Sequence, residues 1–150
     1  MTMTMSELRS QLSSIEPDES TYAGIGPSEV DMLRELLDDE EAWMAARAVH
    51  ALSRVDDDAA RAALAEAAHK PRMEVRVAVA ASAPEMPPEE SDDLLADLLD
   101  DEHAAVRKFA IGAVSERNSE AVRAKVGALA ATEADSRLRA LADEKARSVS

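Results

Sequence analysis

The sequence predicts an all-α protein built from about four helical hairpins. Three observations carry this. Alanine fills 31 of the 150 positions, while Trp, Tyr and Phe occur once each; such a chain favours helices and is short of the aromatic residues that favour strands. Residues 32–53 and 94–115 align without a gap at an offset of 62, with LLDDE identical at 36–40 and 98–102. Half of that period is also visible. Val75-Arg76 lies 31 residues before Val106-Arg107, Met44-Ala45 lies 31 before Val75-Arg76, and Leu138-Arg139 lies 32 after Val106-Arg107. A self-similarity of this length is the signature of stacked supersecondary units.

Each unit reads as two helices. In the first, Val30, Leu33 and Leu37 form an apolar stripe at helical spacing, with Ser28 as the N-cap and Asp31 three positions on, like a capping box. Its second helix is predicted over about 41–55. The Asp56-Asp57-Asp58 cluster opens a helix over 56–70, where acids suit the N-terminal end of the dipole. Its partner spans about 72–83. Ser91 opens the third pair, with Leu94, Leu95, Leu98 and Leu99 as its stripe. Asp101 is expected to cap the following helix, 103–117. Asn118 or Ser119 opens the fourth pair, and Thr132 with Asp135 precedes a last helix over 134–147. Prolines fit the parse. Pro71 sits at a helix start, and Pro84, Pro87 and Pro88 fall in a loop, none of them inside a helix, where proline costs about 3 kcal/mol. Residues 1–27 hold a possible short helix, SELRSQLSSI, then two Gly and two Pro. They are expected to form a flexible N-terminal arm, leaving 28–150 as one repeat domain.

The words DDEHAAVRKFAIGAVSE, HKPRMEVRVAVAASA and DDEEAWMAARAVHALSR resemble HEAT-like repeats, especially the short bacterial units of the phycobilin-lyase-type group. The resemblance covers about residues 28–148 and implies an α-solenoid of HEAT-like helical hairpins, wound as a right-handed superhelix. It further implies an acidic residue in each turn, ahead of a valine-arginine pair on the second helix. Two departures stand out: Ala45 where the family prefers Arg, and a last unit one residue longer. The repeat arginines Arg76, Arg107 and Arg139 are expected at equivalent places, with Arg107 meeting a carboxylate of a neighbouring turn, Asp100 or Asp101.

Charge bounds the function. Thirty-one acids against 17 Lys and Arg give −14, which repels phosphate backbones and argues against nucleic acid as a partner. Excess acid with few Lys fits a salt-adapted or high-GC bacterial or archaeal proteome, and equally an acidic docking surface. With no cysteine, thiol catalysis, thiolate metal sites and disulfides are excluded. No apolar run approaches the roughly 20 residues of a membrane span, and the N-terminal residues lack the pattern of a signal peptide, so a cytoplasmic protein without membrane partners is expected.

Motifs of chemistry are weak. His50, His69 and His103 show no i, i+4 pairing, and no HExxH, GxSxG or GK[ST] occurs. The paired carboxylates recur at one place in the repeat, which suits turns and caps. No catalytic residue, cofactor or metal is expected. One feature departs from the repeat: Trp43, Arg47, His50 and Arg54 share a helix face that carries Ala, Phe, Gly and Glu in unit three. Trp and Arg are enriched at protein-binding hot spots. The competing reading places Trp43 over the open end of the first hairpin, under the N-terminal arm. The function expected is a non-catalytic protein-binding scaffold or adaptor whose partner is another protein. The alternative is an accessory factor of an enzyme, chromophore-lyase-like, or a partner-inhibiting immunity-type protein.

Overall fold

The computed structural model describes residues 3–14 and 18–150. Every regular element among them is helical. They are α1 (Met5–Leu12), α2 (Val30–Leu36), α3 (Ala42–Ser53), α4 (Asp58–Ala67), α5 (Met73–Ser82), α6 (Pro88–Leu98), α7 (Ala104–Ala113), α8 (Glu120–Thr132) and α9 (Ser136–Val149), with short 3₁₀ turns at Glu19–Tyr22, Pro27–Glu29 and Ala83–Glu85. None of these helices is long and apolar enough to cross a membrane. The chain divides into two compact units, Met1–Val79 and Ala80–Ser150.

In the first unit α2 packs on α3, α3 on α4 and α2 on α4. Leu33, Leu37, Met44, Leu52 and Leu64 are essentially buried, and Ala45, Ala48, Ala60 and Ala63 fill the spaces where the helices approach. The expected loose arm is packed here as well. Helix α1 lies on α3, and Leu8 and Leu12 are both fully buried, worth roughly 1.5–3 kcal/mol each. Thr4 and Glu7 close a reciprocal capping box at its start. Ile15 and Pro17, which belonged to the same expectation, lie outside the described residues.

In the second unit α6 packs on α7 and α8 on α9, while α6 touches α8 and α7 touches α9. Two hairpins are therefore laid side by side, first helix to first helix and second to second. Leu95, Leu98, Leu99, Val106, Ile111 and Val126 form the apolar centre.

Several boundaries differ from those the sequence predicts, each for a local reason. Ser28 does not cap α2. Pro27 starts a 3₁₀ turn, and Glu29 accepts the Gly26 N–H at 2.8 Å in the manner of a capping box. Helix α6 begins at Pro88, not Ser91, because proline is tolerated at the first helical position and Glu89 and Glu90 suit the positive end of the dipole. Helix α7 stops at Ala113. Val114 turns extended, and the Ser115 N–H donates to Asn118 Oδ1 at 2.9 Å. Asn118 is buried, and its amide donates to Ser91 Oγ and Asp92 Oδ1 at 3.1 and 2.8 Å. Ser119 and Asp135 cap α8 and α9.

Candidate functional site

The face of α3 that carries Trp43, Arg47, His50 and Arg54 is the surface on which the N-terminal segment lies. Trp43 is 45% exposed, so it is not core. Its indole N–H donates to Glu41 Oε2 at 3.2 Å, and the Arg47 guanidinium stands 5.2 Å from its ring centroid. Arg47 Nη1 donates to the Leu12 carbonyl at 2.6 Å and to the Ser14 carbonyl. The end of α1 thus gains a donor for carbonyls that no helical N–H can reach. His50 is half-buried on the same face.

Arg54 completes the attachment. Its Nη1 donates to both Glu19 oxygens, at 3.0 and 2.8 Å, and its guanidinium stands 4.8 Å from the Tyr22 ring centroid. Burial pushes the Tyr22 phenol above its ordinary value, while the charges of Arg47 and Arg54 pull it back. Gln11 holds the returning chain by donating to the Thr21 and Ala23 carbonyls. Arg9 pairs with Asp39, and that hydrogen bond holds the Asp39 carboxyl below its usual range. Both arginines of the predicted binding stripe are therefore engaged within the chain, and Trp43 is left as the exposed aromatic of the face. The sequence carried signals for this: the Thr4-x-x-Glu7 box, and Leu8 and Leu12 at i, i+4.

The repeat arginines make a recurrent contact of a different kind from the one expected. Arg76 donates to the carbonyls of Lys70 and Pro71, both at 2.9 Å. Arg107 donates to those of Asp101 and Glu102 at 2.9 and 3.2 Å. Arg139 donates to that of Glu133 at 3.0 Å. In every case the guanidinium reaches back to the carbonyl six residues earlier, in the turn before its own helix. The first unit has Ala45 at this position, and the corresponding carbonyls are those of Asp39 and Glu40. They accept from Arg72 instead, with Asp39 O receiving both Nη1 and Nη2 and Glu40 O lying 3.1 Å from Nη2. The missing arginine is replaced by one from the turn ahead of α5.

The carboxylate partner of Arg107 is Glu133, not Asp100 or Asp101. The pair is bidentate, at 2.9 and 2.8 Å, with the Glu133 side chain 4% exposed. Arg107 holds the Glu133 carboxyl below its ordinary value, against the opposing effect of burial. Asp100 and Asp101 have other work. Asp100 pairs with Lys125, and Asp101 Oδ1 accepts the His103 N–H at 2.9 Å. The N-cap of α7 is His103 rather than Asp101, its Nδ1 accepting the Ala105 N–H at 3.2 Å.

A second exposed aromatic escaped the sequence reading. Phe109, on α7, is 43% exposed, and the Lys108 ammonium lies 5.9 Å from its ring centroid. It stands in the repeat register of Arg47. No protein-family model matches the chain, and no curated protein matches it.

Proposed function

We propose that this chain is a non-catalytic protein-binding scaffold built on HEAT-like helical hairpins. The observation that carries the reading is the pair of large exposed aromatics, Trp43 at 45% and Phe109 at 43%. Each stands on the second helix of a hairpin and has a cation beside its ring. Aromatics flanked by cations are the composition of contact surfaces, because both lose water on association and gain dispersion and charge contacts. The like-to-like packing of α6 with α8 and α7 with α9, together with the arginine-to-carbonyl contact at a constant six-residue spacing, supports the HEAT-like reading.

The test is affinity capture from the native host with the intact chain and with Trp43→Ala and Phe109→Ala. Both substitutions remove exposed rings and leave the hydrogen bonds of Arg47 in place. The expected result is loss of a specific captured protein by at least one variant, at an unchanged melting temperature. Equal capture by both variants and the wild type places the binding surface elsewhere. No specific capture by the wild type overturns the scaffold reading. Arg47→Glu is a poor probe, since it also breaks the contacts to Leu12 and Ser14 that hold the N-terminal segment.

A further inference from the structure

Cations are scarce in this chain, and almost all of them are committed. Fifteen of the 17 Lys and Arg either pair with a carboxylate or donate to a backbone carbonyl of the chain itself. Among the described residues Lys108 and Arg137 have neither kind of acceptor. Both line the same groove, between the starts of α7 and α9, whose floor is Ala104, Ala105, Leu138 and Leu141. Asp135 also lines it, but its carboxylate is tied to the Leu138 N–H at 2.9 Å as the cap of α9. That bond, the neighbouring N–H of Arg137 and, more weakly, the charges of Arg137 and Arg107 hold its pKa low. Two cations thus face one carboxylate that is already used, over an apolar floor.

On an anionic body, two cations without a paired carboxylate, beside the partly exposed aliphatic surface of Ala104, Ala105 and Leu141, select a ligand that is anionic and apolar at once. The groove measures about 240 Å³, below the roughly 300–1,000 Å³ of pockets that enclose a small molecule. It has room for one or two side chains of something larger.

We propose that this groove docks an acidic peptide segment of a partner protein, with an aliphatic side chain on Leu141 and the flanking alanines and carboxylates on Lys108 and Arg137. The proposal rests on the protein-binding reading above and assigns it a second contact point.

The experiment is fluorescence polarisation with a labelled peptide of alternating glutamate and leucine, in about 0.1 M KCl so that pairing at contact survives screening. The intact chain is compared with the double variant Lys108→Glu, Arg137→Glu. Two control peptides replace every glutamate by glutamine or every leucine by serine. Saturable binding by the wild type is expected, weakened about tenfold or more in the double variant and with either control peptide, at an unchanged melting temperature. Absent binding, equal binding by the double variant, or equal binding of the glutamine peptide overturns the assignment. So does wild-type self-association that the double variant abolishes, which would make a second copy of the chain the occupant. Lys108 also stands beside the Phe109 ring, so the wider reading is judged by capture through Trp43, which none of these results touches.

Discussion

At the scale of single residues, each arginine of the repeat donates to a backbone carbonyl of the turn before its helix. A guanidinium offers five N–H groups in a fixed fork. Spending them on turn carbonyls satisfies acceptors that the end of the preceding helix leaves open. Arg107 does this and also grips Glu133, so it ties the turn before α7 to the segment before α9. Glu133→Gln keeps the shape and removes the charge. It is expected to lower stability by roughly 2–4 kcal/mol, because Arg107 is left largely desolvated without a counter-charge, and urea unfolding measures the loss. The pH dependence follows from the same pair. The folded-state pKa of Glu133 lies below its unfolded value, so its contribution is fully present above the ordinary carboxylate range. It fades as pH falls through the lowered folded value. Between about pH 5 and pH 3 the wild type should lose more stability than Glu133→Gln. Parallel curves would show that the pair is energetically idle.

At the scale of elements, helix identity was legible and helix ends were less so. Periodic leucines and alanines announced α2 to α9, since the apolar stripe that defines a helix is also the surface it buries. The ends depend on which neighbouring polar group wins the orphan N–H groups, as His103 does over Asp101, and on where a proline can open the helix, as Pro88 does ahead of Ser91. The N-terminal segment was underestimated because its few large residues looked insufficient for a core. Their value lies in placement: Leu8 and Leu12 fall on one side of α1, against α3. Leu8→Ala is expected to cost roughly 2–4 kcal/mol through the cavity it leaves and to hasten proteolysis within residues 3–27. Unchanged stability and cleavage would mean that the segment contributes no energy to the first unit.

At the scale of the whole molecule, the dominant quantity is charge. At −14, self-repulsion opposes compaction, and salt shortens the Debye length from about 10 Å at 0.1 M to about 3 Å at 1 M. The melting temperature is therefore expected to rise from low to molar KCl. A flat or falling profile would show that the many internal pairs already offset the repulsion. The candidate binding face was legible in Trp43, which departs from the repeat. The groove between α7 and α9 was not, since it depends on which cations lack an acceptor, and that follows from three-dimensional neighbours. The constant six-residue reach of Arg76, Arg107 and Arg139 has a consequence for how such a chain tolerates insertions. The last unit is one residue longer than the others, yet Arg139 still meets the carbonyl of Glu133. The extra residue must lie upstream of Glu133, on the α8 side of the turn. Each unit therefore has a stretch whose length is free to drift and a hinge whose reading frame is held, and lineages of this chain should gain and lose residues in the first and almost never in the second.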